Sequence, residues 1–474
     1  MKRVITYDFV RGIAIIGVLL FHLLNEVFAV QEKAIENAVL NGGTTAAYWY
    51  VIAPVLIIFG SFNGMFVTIS AGSNAVSIHK QWERLVEQKG VAKRDAAFKI
   101  FGSQLLRGAL IWALGFLSEG VFGTWLQDLI NVLKGASNNP VWQDLEGGLL
   151  FSNILYTIGI SIVICSVIQL AYLSSGMHRK KISIILIFVA IACIALMPAV
   201  AIADQAWFGT NSFSDGVPLS AGEFWARMLL SGFMSRDTPL LPYFACAALG
   251  LMISIHINEK AVTPEFLQGI LWLGLVFVGA SIPLVVIKGP ATGPLSTMFG
   301  FSINREISLF YMTFITGLEL VCLAWLLYMI DFRRKTNLHL FLRATVFIRR
   351  FGVTTLTLWM LQYFMVFPIL LIQFITGWPM VALYPGAPHG ALQYAWQLDI
   401  VLVLIFLMWH GILLAWERVK FVGSFEWFTT KLMSRGSTSG DRLNIRGILY
   451  DVQREIEWVP GKRARAKAEQ VAEQ

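Results

Sequence analysis

About ten windows of some twenty largely apolar residues recur along this chain, a length that matches the ~30 Å hydrocarbon core of a bilayer. They fall at 8–30, 47–72, 104–126, 149–173, 182–203, 239–257, 266–287, 306–330, 351–375 and 395–416. Arg107 and Glu119 interrupt the third, and the sixth is short and follows an amphipathic stretch at 223–234. Composition agrees: 56% of residues are hydrophobic and 14% charged, where a soluble domain has ~45–50% and ~25%. The first window runs to about Val30 without a small-x-small cleavage site, so it reads as a membrane helix and not a signal peptide. The expected fold is all-α, a polytopic membrane helix bundle of about ten transmembrane helices. Residues 1–416 form the membrane domain, and 417–474 a cytoplasmic interfacial segment with a basic, disordered tail. No loop is long enough for a folded domain, which confines any chemistry to the bundle and its faces.

Lys and Arg number 37 against 29 Asp and Glu, a net charge of +8. In so apolar a chain this excess is first a topology signal and not the footprint of a nucleic-acid partner, and none is expected. The segment 78–103 carries Lys80, Arg84, Lys89, Lys93, Arg94 and Lys99, 177–181 carries Arg179, Lys180 and Lys181, and 331–350 ends in Arg349 and Arg350. The alternate loops are poor in basic residues: 31–46 has only Lys33 and 127–148 only Lys134. The basic loops, and with an even number of passages both termini, are placed in the cytoplasm. Cys165, Cys193, Cys246 and Cys322 lie in apolar runs with no CxxC pair and no histidine at zinc spacing, so they read as small core or lipid-facing residues, and no metal is expected.

An ionisable group inside a membrane is costly and is a functional candidate by default. The first window is the densest case, with Asp8, Arg11, His22 and Glu26. Arg11 and His22 are eleven residues apart, three turns plus about 20°, so they share a helix face about 16 Å apart along the axis. Asp8 and Arg11 at i,i+3, and His22 and Glu26 at i,i+4, are helix neighbours. A carboxylate beside an imidazole fixes its tautomer and stabilises the imidazolium, as a general base requires. The same residues also admit a structural reading: Arg11 snorkels, Asp8 pairs with it, and His22 bonds a neighbouring helix. Glu319 stands alone near the middle of the eighth window, needing a partner from another helix or a proton. Asn63, Asn153, Gln169, Gln362 and Gln373 read as interhelical glue.

The segment TYDFVRGIAIIGVLLFHLLN, with Asp8-x-x-Arg11-Gly12 followed by His22, resembles the opening helix of the transmembrane acyltransferase superfamily. That group includes bacterial acyltransferase type 3 proteins and membrane proteins related to heparan-α-glucosaminide N-acetyltransferase. FGSFNGMFVTISAGSN (59–74), QLLRGALIWALGFLSEG (104–120), SNILYTIGIS (152–161), TPLLPYFACAALGLMI (238–253), FGVTTLTLWMLQYF (351–364) and FVGSFEWFTTKL (421–432) are similar to further family landmarks in the same order. Two positions depart from the pattern: Gln362 stands where some relatives have His, and Ser424 replaces a Pro.

The resemblance implies transfer of an acyl group, usually acetyl, from cytoplasmic acyl-CoA to a hydroxyl or amine of a cell-envelope glycan or glycolipid, in a bacterial cytoplasmic membrane. His22 would be the base or a transient acyl carrier, with Glu26 orienting it and Glu319 facing the same cavity. Arg11, Arg107, Arg94, Lys99, Arg349 and Arg350, together with Lys93, would meet the phosphates of CoA; for any one of them an ordinary positive-inside role is the competing reading. Beyond acyl-CoA, the expected partners are the acceptor and membrane lipids; acceptor identity and oligomeric state are not legible. A proton-coupled transporter or lipid flippase is the alternative class, since buried His, Glu and Arg describe one equally.

Overall fold

The computed structural model describes residues 2–22, 62–123, 154–208, 238–259, 262–287, 308–332, 337–378, 395–433, 445–450 and 453–454. These are helical apart from turns and one pairing of two-residue strands, β1 (Lys2–Arg3) and β2 (Gln453–Arg454). The helices are α1 (Ile5–His22), α2 (Phe62–Trp82), α3 (Lys93–Phe116), α4 (Ile154–Ser175), α5 (Arg179–Ala195), α6 (Met197–Phe208), α7 (Leu240–Asn258), α8 (Pro264–Val286) and α9 (Leu309–Leu326). They are followed by α10 (Leu338–Ala344), α11 (Val346–Val353), α12 (Thr355–Leu361), α13 (Val366–Thr376), α14 (Ala395–Arg418), α15 (Phe425–Met433) and α16 (Ile445–Leu449). Wide π-type turns extend α3 through Leu117–Gly123 and α9 through Leu327–Phe332.

Five of these helices are long and apolar enough to cross a membrane: α4, α7, α8, α9 with its extension, and the Ile400–Arg418 part of α14. A sixth span is counted if the pair Thr355–Met365 and Phe367–Thr376, bent by 41°, crosses as one. The protein is therefore a helical bundle of multi-pass membrane character.

Helix α7, from the short sixth window, is the centre of the bundle. Of its apolar stretch 94% is buried, against 22% for α8 and for α14, which present their faces outward. Small residues explain the difference: Ala245, Cys246, Ala247, Ala248 and Gly250 let neighbouring backbones approach. A Cβ on Gly250 would run into the backbone of Thr68, and one on Gly72 would meet Ser254 Oγ at 2.8 Å. Thr68 donates to the carbonyl of Cys246 (3.2 Å) and Asn258 to that of Ala75 (3.3 Å), so α2 and α7 run side by side in the same direction.

The ninth window is not one helix. Thr345, Thr354 and Thr355 each turn their hydroxyl back to a carbonyl four residues earlier, at 2.7, 3.0 and 3.2 Å. Such back-bonding bends helices; Thr345 lies before the window, between α10 and α11, whereas Thr354 and Thr355 divide the window between α11 and α12, and the 3-10 turn Gln362–Met365 then separates α13. The third window differs in the other sense: its helix starts at Lys93, eleven residues before the apolar run, so Lys93, Arg94, Lys99 and Arg107 share one rod.

Part of the tail lies against the bundle, whereas the basic run 462–474 that is expected to be disordered lies outside the described residues. Ile445, Ile448 and Leu449 are buried in the core of the bundle, and β2 pairs in parallel with β1, so the N-terminal strand and residues 453–454 lie against each other.

Candidate functional site

The start of α1 is held from outside the helix. The first N–H groups of a helix lack intrahelical partners, and here the carboxylate of Asp331, at the end of the α9 extension, accepts from Ile5 N (3.2 Å) and Thr6 N (2.8 Å). Tyr7 shares a hydrogen bond with Ser254 of α7 at 2.9 Å. One turn on, Gly12 and Gly352 let α1 lie directly on α11: a Cβ on Gly12 would strike the Ile348 carbonyl, and one on Gly352 that of Asp8.

This seating presents Arg11 to α2. Its guanidinium donates to Ser73 Oγ at 3.0 Å and lies 3.9 Å from the buried Asp8 carboxylate. The neighbouring residue of α2 receives a second arginine, since Arg107 of α3 donates to Asn74 Oδ1 at 2.6 Å. Asn74 in turn donates to Ser166 of α4 (3.3 Å), and Gln169, one turn further along α4, donates to the Ala75 carbonyl (2.8 Å). Arg11 and Arg107 are thus anchored on consecutive residues of one helix, about 100° apart around its axis. The signal for Ser73 and Asn74 lies in the small-residue run Ser70–Asn74, but the second apolar window stops at 72 and leaves both outside it.

The other predicted residues divide into four groups. Lys93, Arg94 and Lys99 are exposed on the first turns of α3, with Arg94 lying over the Phe98 ring at 5.8 Å. Arg349 and Arg350 do not line an open face. Arg349 is 1% exposed and donates to the Ile448 carbonyl, while Arg350 pairs with Glu417 and donates to the Tyr450 hydroxyl at 2.8 Å. In this structure the partners of both come from the tail and the end of α14. His22 is the last residue of α1, Glu26 lies outside the described residues, and Glu119 falls within the turns after α3.

Glu319 belongs elsewhere. It is buried in α9, accepts from Thr68 Oγ1 at 3.4 Å and fills the space left by Gly64, so its neighbours are α2 and α7 and, among the described residues, it is not joined to Arg11 or Arg107. Glu426, not singled out from sequence, caps α12. Its carboxylate accepts from Leu356 N (2.5 Å), Thr357 N (3.1 Å) and the Thr357 hydroxyl, which itself accepts from Phe425 N at 2.8 Å. Removal from water pushes the Glu426 carboxyl above the usual carboxylate range, and these hydrogen bonds act in the opposite direction.

Chemically the cluster offers two fixed cations, hydroxyl and amide groups between them, and an apolar helix that leads from Arg11 to His22. Such a set can hold an anionic or amide-bearing chain at one end and act on it at the other. No protein-family model matches the chain, and no curated protein is similar to it.

Proposed function

We propose that the protein is a membrane acyltransferase that moves an acetyl group from cytoplasmic acyl-CoA to a hydroxyl of a cell-envelope glycan or glycolipid, in a bacterial cytoplasmic membrane. The observation that carries this reading is the anchoring of Arg11 and Arg107 on Ser73 and Asn74, with His22 at the end of the helix that carries Arg11. Both guanidiniums donate to neutral side chains, with the Asp8 carboxylate 3.9 Å from Arg11, and the planar donor set of a guanidinium suits phosphate. The basic residues Lys93, Arg94 and Lys99 stand on the same helix as Arg107, toward its exposed start. On this reading that end of the bundle, where Lys2–Arg3 pairs with Gln453–Arg454, faces the cytoplasm, and the helices make about ten passages.

In the reaction His22 takes the proton of the acceptor hydroxyl, the acceptor oxygen bonds to the thioester carbonyl carbon, and the carbon–sulfur bond breaks. Coenzyme A leaves as the thiol, carrying the proton from the imidazolium. Transfer through an acyl-imidazole differs only in inserting His22 as the first nucleophile. Glu26 orients the ring in either route.

Membranes supplied with labelled acetyl-CoA test this directly. Label should reach lipid or glycan with the wild type, and His22→Ala should abolish transfer while the folded protein persists. Full transfer in that variant removes the proposal. A proton-coupled carrier is the second reading, favoured by the buried Glu319, whose Oε1 has no hydrogen-bond partner among the described residues and which stands apart from α1. Substrate flux that needs Glu319 but not His22, without labelled product, selects the carrier.

A further inference from the structure

Two interrupted helices meet beside α12, and each carries a buried polar side chain left unbonded among the described residues. The π-type turns after α3 hold Ser118, whose side chain is fully buried and whose Oγ has no hydrogen-bond partner there. The 3-10 turn Gln362–Met365 after α12 begins with Gln362, 2% exposed, with both Oε1 and Nε2 likewise unbonded. The two turns are neighbours: Phe122 and Phe364 meet edge to face with ring centroids 5.4 Å apart, and the turns after α3 pack on α12. Gln362 differs from Gln169, its counterpart as interhelical glue in the sequence, because Gln169 Nε2 does bond a neighbouring helix.

Irregular backbone at membrane depth is kept where it is buried in protein or lines a polar site, and π-type turns recur at functional sites. A polar group taken out of water without a partner is costly, so three such atoms on two adjoining irregular turns require an explanation. Their depth supplies one. Ser118 lies eleven residues beyond Arg107 on its helix, and His22 lies eleven residues beyond Arg11 on α1, so each is ~16 Å from its arginine. The helix between them is α12, which touches both α1 and the turns after α3. Leu19 and Leu20 of α1 line one apolar crevice with Met365, the last residue of the Gln362 turn.

We propose that Ser118 and Gln362 form the subsite that binds a hydroxyl of a neutral, polyol-type acceptor at the His22 end of α1. A carboxamide offers one donor face and one acceptor face, and a serine hydroxyl offers both. This set matches the vicinal hydroxyls of a sugar, and a phosphate or carboxylate would find no cation in it. The inference rests on the acyl-transfer reading for the identity of its ligand as acceptor, but the binding itself is separable from that reaction.

Gln362→Leu and Ser118→Ala decide it, measured in membranes for labelled acetyl transfer and in detergent for Tm. We expect transfer to fall at least tenfold in each with the KM for acetyl-CoA unchanged, and Tm to stay level or rise because an unbonded polar group has been removed. Wild-type transfer in both variants overturns the proposal. A Tm collapse in Gln362→Leu marks that amide as structural, and Ser118→Ala, the smaller change, then decides alone. If the wild type transfers no label, the acyl-transfer reading has failed by itself, and trehalose and methyl glucoside serve as probes of binding. A sugar-dependent rise in Tm that is lost in either variant upholds the subsite, whereas equal or absent shifts in wild type and variants remove it.

Discussion

Gly12→Ala is the substitution that most directly tests how the fold positions Arg11. A Cβ at Gly12 would press on the Ile348 carbonyl and come within 2.8 Å of Ile348 Cγ2, and the reciprocal position, Gly352, is closed by the backbone of Asp8 and Gly12. Carbon atoms pack at ~3.5–4.0 Å, so the shortfall is about 1 Å. Backbone atoms cannot rotate aside, and α1 and α11 must separate. Overpacking of this kind costs ~1–3 kcal/mol, and alanine recovers ~1 kcal/mol through helix propensity, which leaves a net loss of up to about 2 kcal/mol. Arg11 is the adjacent residue and donates to Ser73 at 3.0 Å; a displacement of ~1 Å breaks that bond, and misplacement on this scale lowers rates by about 10²-fold. The assay is the initial rate of acetyl transfer beside a thermal melt, with Gly102→Ala as the control, since no atom of the described residues lies within 4 Å of a Cβ there. The control should keep its rate and gain up to ~1 kcal/mol of stability through helix propensity. Wild-type rate and Tm in Gly12→Ala would refute the reasoning that close approach at this glycine fixes Arg11.

Three further outcomes are expected. Glu426→Gln should lower stability by ~0.5–2 kcal/mol through loss of the α12 cap. It should also alter the pH profile: a carboxyl whose folded pKa is raised contributes stability that is full below the unfolded value of ~4.3 and is lost as pH rises through the folded value. Melts from pH 4 upward should show that decline in the wild type and not in the variant. Tyr450→Phe removes the hydroxyl that bridges Arg350 and Glu417 at 2.8 Å to each. It should cost ~1 kcal/mol, while truncation after Met433 removes the buried Leu449 and should cost more, both read by thermal melts. Gly64→Ala runs into the end of the Glu319 side chain, so Glu319→Ala should relieve it, and a double-mutant cycle should return a coupling of ~0.5–3 kcal/mol.

Membrane character is legible in the sequence because apolar length is a one-dimensional property: the windows that correspond to α4, α7, α8 and α14 fall within a few residues of the helices. What such windows cannot carry is the polar continuation of a helix beyond its apolar run. Helix α2 extends ten residues past 72, to Trp82, and α3 begins eleven residues before 104, and the partners of Arg11 and Arg107 lie in the first of these continuations. The division of the ninth window has a local signal in its threonines, whose hydroxyls compete for helix carbonyls, but hydropathy weights threonine near neutral and passes over it. Arg349 and Arg350 read as surface charges in the sequence because the residues that cover them are about a hundred positions away, in a tail whose composition resembles a disordered one. Glu319 looks like a partner for His22 because both are ionisable groups in apolar helices; only packing reveals that its neighbours among the described residues come from α2 and α7.

The two ends of α1 differ in the chemistry that surrounds them, and that difference constrains any acyl-transfer scheme. At the Arg11 end, guanidinium groups are held by hydroxyl and amide partners with the Asp8 carboxylate 3.9 Å from Arg11, and the Arg350 ion pair closes the same end through the tail. A charged donor can be met there because each phosphate oxygen that leaves water finds a fixed cation. Three turns away, the polar groups of Ser118 and Gln362 are neutral and, among the described residues, unbonded. A diphosphate could not be carried to that depth without leaving several charges unpaired, at a cost far beyond that of an amide or hydroxyl. The nucleotide would therefore stay at the arginine end while the uncharged part of the donor spans the ~16 Å to His22, and the acceptor, to reach the same point, must arrive from the opposite side and be neutral where it binds. On the acyl-transfer reading, charge placement along one helix would put donor and acceptor on opposite faces of the membrane. An acceptor found to be phosphorylated at the reacting sugar would be incompatible with it.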